Sequence, residues 1–237
     1  MKTDDYRITT KYAALTPDAD GRQKLAILLR RLQDEARADH AGRVHANGHR
    51  EDGLEPLRLE QNTRDSHLTL AFGLDLRPTD ALRMLADATP LFLPSRSVHF
   101  TRLFLCPKAD PAKEGYGLLM LSPEPGSEDY RRLAEFKACL AASVMPPDTR
   151  DVGTRRMRER LEAGATLEAA ALETMLPHVT VAVNADAGHG PFERVWPALA
   201  DGGHLPVSID LTFDEATVSG SLVADGREHR VLLMHRF

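Results

Sequence analysis

The sequence predicts an α+β fold built twice over: two pseudo-two-fold lobes, with antiparallel sheets flanking a central cleft and helices outside. Three observations predict it. Short strand-like segments alternate with helix-patterned runs along the chain. A string with a polar pair on one side, His67-Leu68-Thr69-Leu70, returns as His178-Val179-Thr180-Val181. The segments around each copy follow in the same order, 106 residues apart at Pro17 and Pro123, 111 at the two histidines and 109 at Val98 and Val207. Loop insertions absorb differences of that size.

The first unit opens on a strand from Ile8 to Pro17 that ends in Thr-Pro. A helix pattern runs from Arg22 to about Ala38, with Leu25, Leu28, Leu29 and Leu32 on one side. A polar insert at about 39–60 precedes the first motif strand; a helix-like segment and a strand from Val98 to Leu105 follow it. The second unit repeats the order. Tyr116 to Pro123 is a strand ending in Ser-Pro, and a helix pattern runs from about Glu128 to Ser143 through Leu133, Phe136 and Leu140. After an insert at about 147–172 come the second motif strand, a helix-like segment, a strand from Val207 to Phe213, and a last apolar strand from Arg230 to His235. Either unit alone would expose one face of its sheet. The two are therefore expected to pack as one bilobal domain over 1–237, with lobe one at about 1–110 and lobe two at about 111–237.

Composition bounds the class. A hydrophobic fraction of 42% and a charged fraction of 27% are ordinary for a globular chain with a full core. The polar opening Met1-Lys2-Thr3-Asp4-Asp5 is unlike a signal peptide, and no apolar run reaches the length of a membrane span. Cys106 and Cys139 stand far apart in apolar contexts and read as reduced thiols of a cytoplasmic protein. A formal net charge of -5 argues against long nucleic acid as partner but allows a local pocket for a small phosphate ligand. No membrane partner is expected, and the sequence carries no information on oligomeric state.

The repeated string carries the chemistry. In a strand, alternate side chains share a face, so each His and its Thr point one way while the residue between them points into the core. Cleaving a phosphodiester needs a base for the attacking oxygen, an acid for the leaving oxygen, and donors for the phosphoryl group. Imidazole titrates near neutrality, so a neutral His67 or His178 and a protonated partner supply base and acid together. The hydroxyls of Thr69 and Thr180 are suited to hydrogen-bond the non-bridging oxygens. Either tripeptide alone means little; two at equivalent points of a repeat form a strong signal. Which histidine is the base is left open, and neither a cofactor nor a metal is required.

With its two His-x-Thr strands, Ser66-His67-Leu68-Thr69-Leu70-Ala71-Phe72 and Leu176-Pro177-His178-Val179-Thr180-Val181-Ala182, the chain resembles the two-histidine (2H) phosphoesterases. That family's hallmark is one His-x-Thr/Ser motif on each lobe of a duplicated α+β fold. The resemblance implies metal-independent hydrolysis of a nucleotide or short oligonucleotide, at a 2′,3′-cyclic phosphate or a 2′–5′ linkage. It further implies that His67 and His178 are acid and base and that Thr69 and Thr180 hold the phosphate. Two rival readings are a nucleotide-binding module without turnover and an RNA end-processing or 2′–5′ RNA-ligase activity. The second is disfavoured because Val183 stands where RNA-ligase-like members usually carry an Arg, and because the insert from Asp148 to Thr174 is longer than in compact members.

Other candidates are weaker. Lys11 and Tyr12 on the first strand and Arg102 on the strand after motif one are suited to line the cleft, Tyr12 by stacking on a base and the cations by pairing with phosphate. His40, His45 and His49 match no zinc spacing and read as a solvated loop. The basic run Thr154-Arg155-Arg156-Met157-Arg158-Glu159-Arg160 reads as the wet face of a helix, with phosphate gripping as its alternative. Gly188-His189-Gly190 reads as a turn, and His229 and His235 as structural or exposed.

Overall fold

A computed structural model describes residues 8–46, 59–61, 66–72, 75–76, 96–106, 117–143, 152–166, 169–170, 177–184, 192–224 and 227–236, with isolated positions 79, 83 and 86. The strands are β1 (Ile8–Pro17), β2 (Glu60–Gln61), β3 (Leu68–Phe72), β4 (Asp75–Leu76), β5 (Ser97–Cys106), β6 (Gly117–Ser122), β7 (Val179–Asn184), β8 (His204–Ala224) and β9 (Arg227–Arg236). The helices are α1 (Ala19–Ala46), α2 (Glu128–Ser143), α3 (Val152–Glu162) and the single turn α4 (Phe192–Val195), followed by a 3-10 segment at Pro197–Gly202. Among the described residues, all strand pairings are antiparallel. The fold class is α+β. Among the described residues, no helix is long and apolar enough to cross a membrane.

Strand pairing runs β4-β1-β3-β7-β6-β5-β8-β9, and an additional β1–β8 pairing closes six of these strands into a ring, β1-β3-β7-β6-β5-β8. Exchanging the halves (β1 with β6, β3 with β7, β5 with β8) returns the same ring, so the duplication read in the sequence is also present in the pairing. Pairing crosses the midpoint of the chain: β5 of the first half lies between β6 and β8 of the second. The 21-residue β8 spans both parts of the ring, pairing β5 through His204–Thr212 and β1 through Phe213–Leu222. The sequence pattern stops this strand at Phe213 because Asp214, Glu215, Ser219 and Gly220 break the apolar alternation. Partners on both edges, β1 and β9, hold that stretch extended instead.

Each half starts its first helix with a side-chain cap. Asp18 Oδ1 accepts from the Gly21 N–H at 2.7 Å, and Ser127 Oγ accepts from the Tyr130 N–H at 3.2 Å. Helix α2 takes the predicted bounds. Helix α1 runs eight residues past the predicted Ala38, so residues 39–46 of the expected insert are helical and His40 and His45 are not on a loop. An Asp39–Arg43 ion pair at i,i+4 favours the extension, and lone Gly42 costs only about 1 kcal/mol against alanine. His49 lies outside the described residues, and His40 and His45, five apart on a helix, face different ways. No group of three metal-ligating side chains gathers among the described residues. The basic run forms α3 with Met157 buried and Arg155, Arg156 and Arg160 exposed: a wet helix face over a core contact.

One apolar core joins both halves. Leu25, Leu28, Leu29, Leu32 and Ala36 of α1 and Leu133, Ala134 and Phe136 of α2 belong to it, as do Phe100 and Phe213, whose ring centroids are 6.5 Å apart. A continuous buried row crosses the ring: Leu103 opposite Leu121, Leu121 opposite Val179, Val179 opposite Leu68, Leu68 opposite Leu15, and Leu15 opposite Ala216. This row passes directly beneath the two motifs.

Candidate active site

The two motif strands meet at their beginnings. Leu68 stands opposite Val179, and each is the other's counterpart in the repeat, so the pseudo-two-fold axis passes between them. Both are fully buried, whereas His67, Thr69, His178 and Thr180 are all half-buried. Opposed residues of antiparallel strands share a face, and successive residues alternate. Continuing the register by one residue sets His67 across from Thr180 and Thr69 across from His178, all four on the face opposite the buried row. The histidines occupy one diagonal of this rectangle and the threonines the other. Diagonal neighbours across such a pair lie about 7–8 Å apart at Cα, with the side chains projecting together. That spacing lets two imidazoles approach one phosphorus from two sides.

A backbone irregularity marks the same point in both motifs. On β3, Ala71 pairs with Ala13 and Thr69 with Ala14, so Leu70 is extra. On β7, Ala182 pairs with Leu119 and Thr180 with Met120, so Val181 is extra. Both bulges fall immediately after the motif threonine. A bulge bends its strand and re-aims the side chains beside it, a device concentrated next to active sites. Its repetition ties the duplication to the motif at the level of backbone geometry.

Two further hydroxyls adjoin the quartet. The pairing of Leu15 with Leu68 carries Thr16 to the position beside His67, and that of Leu121 with Val179 carries Ser122 to the position beside His178. These are the residues before Pro17 and Pro123, equivalent in the repeat. Ser122 is buried and its hydroxyl donates to the Pro123 carbonyl at 2.7 Å, which anchors the strand end. The sequence shows the Thr-Pro and Ser-Pro endings but not the register that brings them to the histidines.

The remaining candidates separate. Lys11 and Tyr12 are on β1, Tyr12 opposite Phe72 and Ser219 and Lys11 in a register shift; their side chains lie outside the described residues. Arg102 stands opposite Ser122, on the face of the quartet and two strands from His178, roughly 10 Å away at the usual strand spacing. Its Nη2 donates to His204 Nδ1 at 3.3 Å. Its Nε is buried without a hydrogen-bond partner. Burial pushes the nearby Tyr130 phenol above its usual range, and the positive charge of Arg102 opposes that rise. The Gly188-His189-Gly190 turn lies outside the described residues.

No family model and no curated protein matches the sequence. Solved structures to which the chain is similar include E. coli LigT complexed with NADP+, at 13% identity over 97% of each chain with a TM-score of 0.41. A phosphoesterase aligns at 14% identity over 95% of each chain with a TM-score of 0.40. Usb1 of Kluyveromyces marxianus aligns at 13% identity over 98% of this chain and 99% of its own, with a TM-score of 0.39.

Proposed function

We propose that this protein hydrolyses a phosphodiester of a nucleotide or short oligonucleotide, at a 2′,3′-cyclic phosphate or a 2′–5′ linkage, with His67 and His178 exchanging protons. The observation that supports this most is the pairing of Leu68 with Val179, whose register, continued by one residue, carries His67 and His178 to the same face. In the forward step a neutral imidazole takes a proton from water as the water oxygen bonds to phosphorus. The protonated imidazole of the other motif gives its proton to the ribose oxygen as the phosphorus–oxygen bond breaks. Thr69 and Thr180 donate hydrogen bonds to the non-bridging oxygens, where charge grows in the transition state. Solvent exchange then restores both imidazoles. Nothing in these steps draws on a metal ion.

The test is a chromatographic screen in EDTA with 2′,3′-cyclic mononucleotides, 2′–5′ oligoadenylates and 3′–5′ cyclic dinucleotides. The expected outcome is opening or cleavage of a 2′-linked substrate at an undiminished rate in chelator. Tight nucleotide binding with no product after long incubation would instead identify a binding module.

A further inference from the structure

We propose that Arg102, His204 and Phe104 form a second subsite that holds a phosphate and base beyond the scissile group, so that the substrate is an oligonucleotide and not a mononucleotide. The inference rests on the phosphodiesterase reading above and adds the substrate's length to it. Strand register supplies the geometry. On β5, Arg102 faces Ser122 and Phe104 faces Met120, and Met120 in turn faces Thr180. On the other edge of β5, Phe104 faces His204 at the start of β8. A row therefore leads from the quartet through Met120 and Phe104 to His204, on one face of the ring, with Arg102 beside it.

The guanidinium is directed outward along this row. It contacts His204 on β8, whereas His178 lies on the other side of β5, beyond β6. The guanidinium thus leans away from the scissile phosphorus, toward the place of the next phosphate of a chain. Its bonding is incomplete. Arginine only donates, so His204 Nδ1 is the acceptor, and among the described residues no carboxylate pairs with Arg102. Arg102 is half-buried and, among the described residues, faces no carboxylate, a setting in which its outer guanidinium nitrogens suit an anion. Phe104, half-buried beside it, offers a ring on which a base can stack without sequence preference. Exposed His204 closes the outer end.

The experiment compares kcat/KM for two substrates with the same scissile linkage, one bearing an additional phosphate one nucleotide away and one without it. The wild type is expected to prefer the longer substrate, and Arg102→Met to reduce that preference by about 10- to 100-fold, the worth of a charge-assisted contact. A preference unchanged in Arg102→Met overturns the proposal. Arg102→Lys, which keeps the charge but not the fork, is expected to be intermediate, and His204→Ala tests the same subsite should Arg102→Met fail to fold. A second arm separates failure of the subsite from failure of the phosphodiesterase reading. Calorimetric binding of the 5′-phosphorylated dinucleotide pApA should weaken at least tenfold in Arg102→Met even if the protein turns over no substrate in the screen. Equal affinity in the two proteins overturns the subsite.

Discussion

Alanine in place of His67 or of His178 is expected to lower turnover by roughly 10²–10⁴-fold, the range for one general acid or base. The measurement is kcat/KM in EDTA with whichever 2′-linked substrate the screen identifies. The two losses should be similar, because the ring of strands treats the motifs as equivalents about the Leu68–Val179 pair. The double variant should be little worse than the poorer single one, since groups that act as a unit lose most of their effect when the first is removed. Full activity in both single variants would remove the acid/base account. Losses that multiply in the double variant would point to two independent roles.

Leu68→Ala should destabilise the fold by about 2–5 kcal/mol, the usual cost of emptying a buried leucine site. The position is fully buried and belongs to two strand pairings at once, with Val179 of β7 and with Leu15 of β1, and Leu15 in turn pairs with Ala216 of β8. A cavity there undermines the one place where the two motif strands meet, so activity should fall along with stability. The control is Ile27→Ala on α1, where the side chain is 60% exposed and truncation should change stability by no more than about 0.5 kcal/mol. Thermal unfolding of the two variants, side by side, checks the contrast. Equal shifts in Tm would mean that the row beneath the motifs does not carry the core.

Much of this architecture is legible in the sequence because it is encoded locally. Helix α2 takes its predicted bounds because a serine cap, two acidic residues in the first turn and a spaced apolar face all agree. The motif strands are legible because alternation of polar and apolar residues makes a half-buried strand recognisable on its own. What escaped is tertiary. The second half of β8 is held extended by β1 and β9, not by its own pattern. The bulges at Leu70 and Val181 are properties of a register, which exists only once the partner strand is in place. The placement of Thr16 and Ser122 across from the histidines is likewise a matter of register. Helix α1 outruns its apolar face because its last turns are kept by helix propensity and an Asp39–Arg43 pair, which add no hydrophobic period. Arg102 is recognisable as a cation on a strand, but its contact with His204 depends on the pairing of β5 with β8 and is not written in any local pattern.

The central claim is that two strands from two halves of the chain build one site. Imidazole ¹⁵N NMR with inorganic phosphate as the probe tests it most directly. If the account holds, resonances of His67 and His178 both shift, along a single isotherm, at one phosphate per chain. Perturbation of only one histidine, or two phosphates binding with separate affinities, would contradict it.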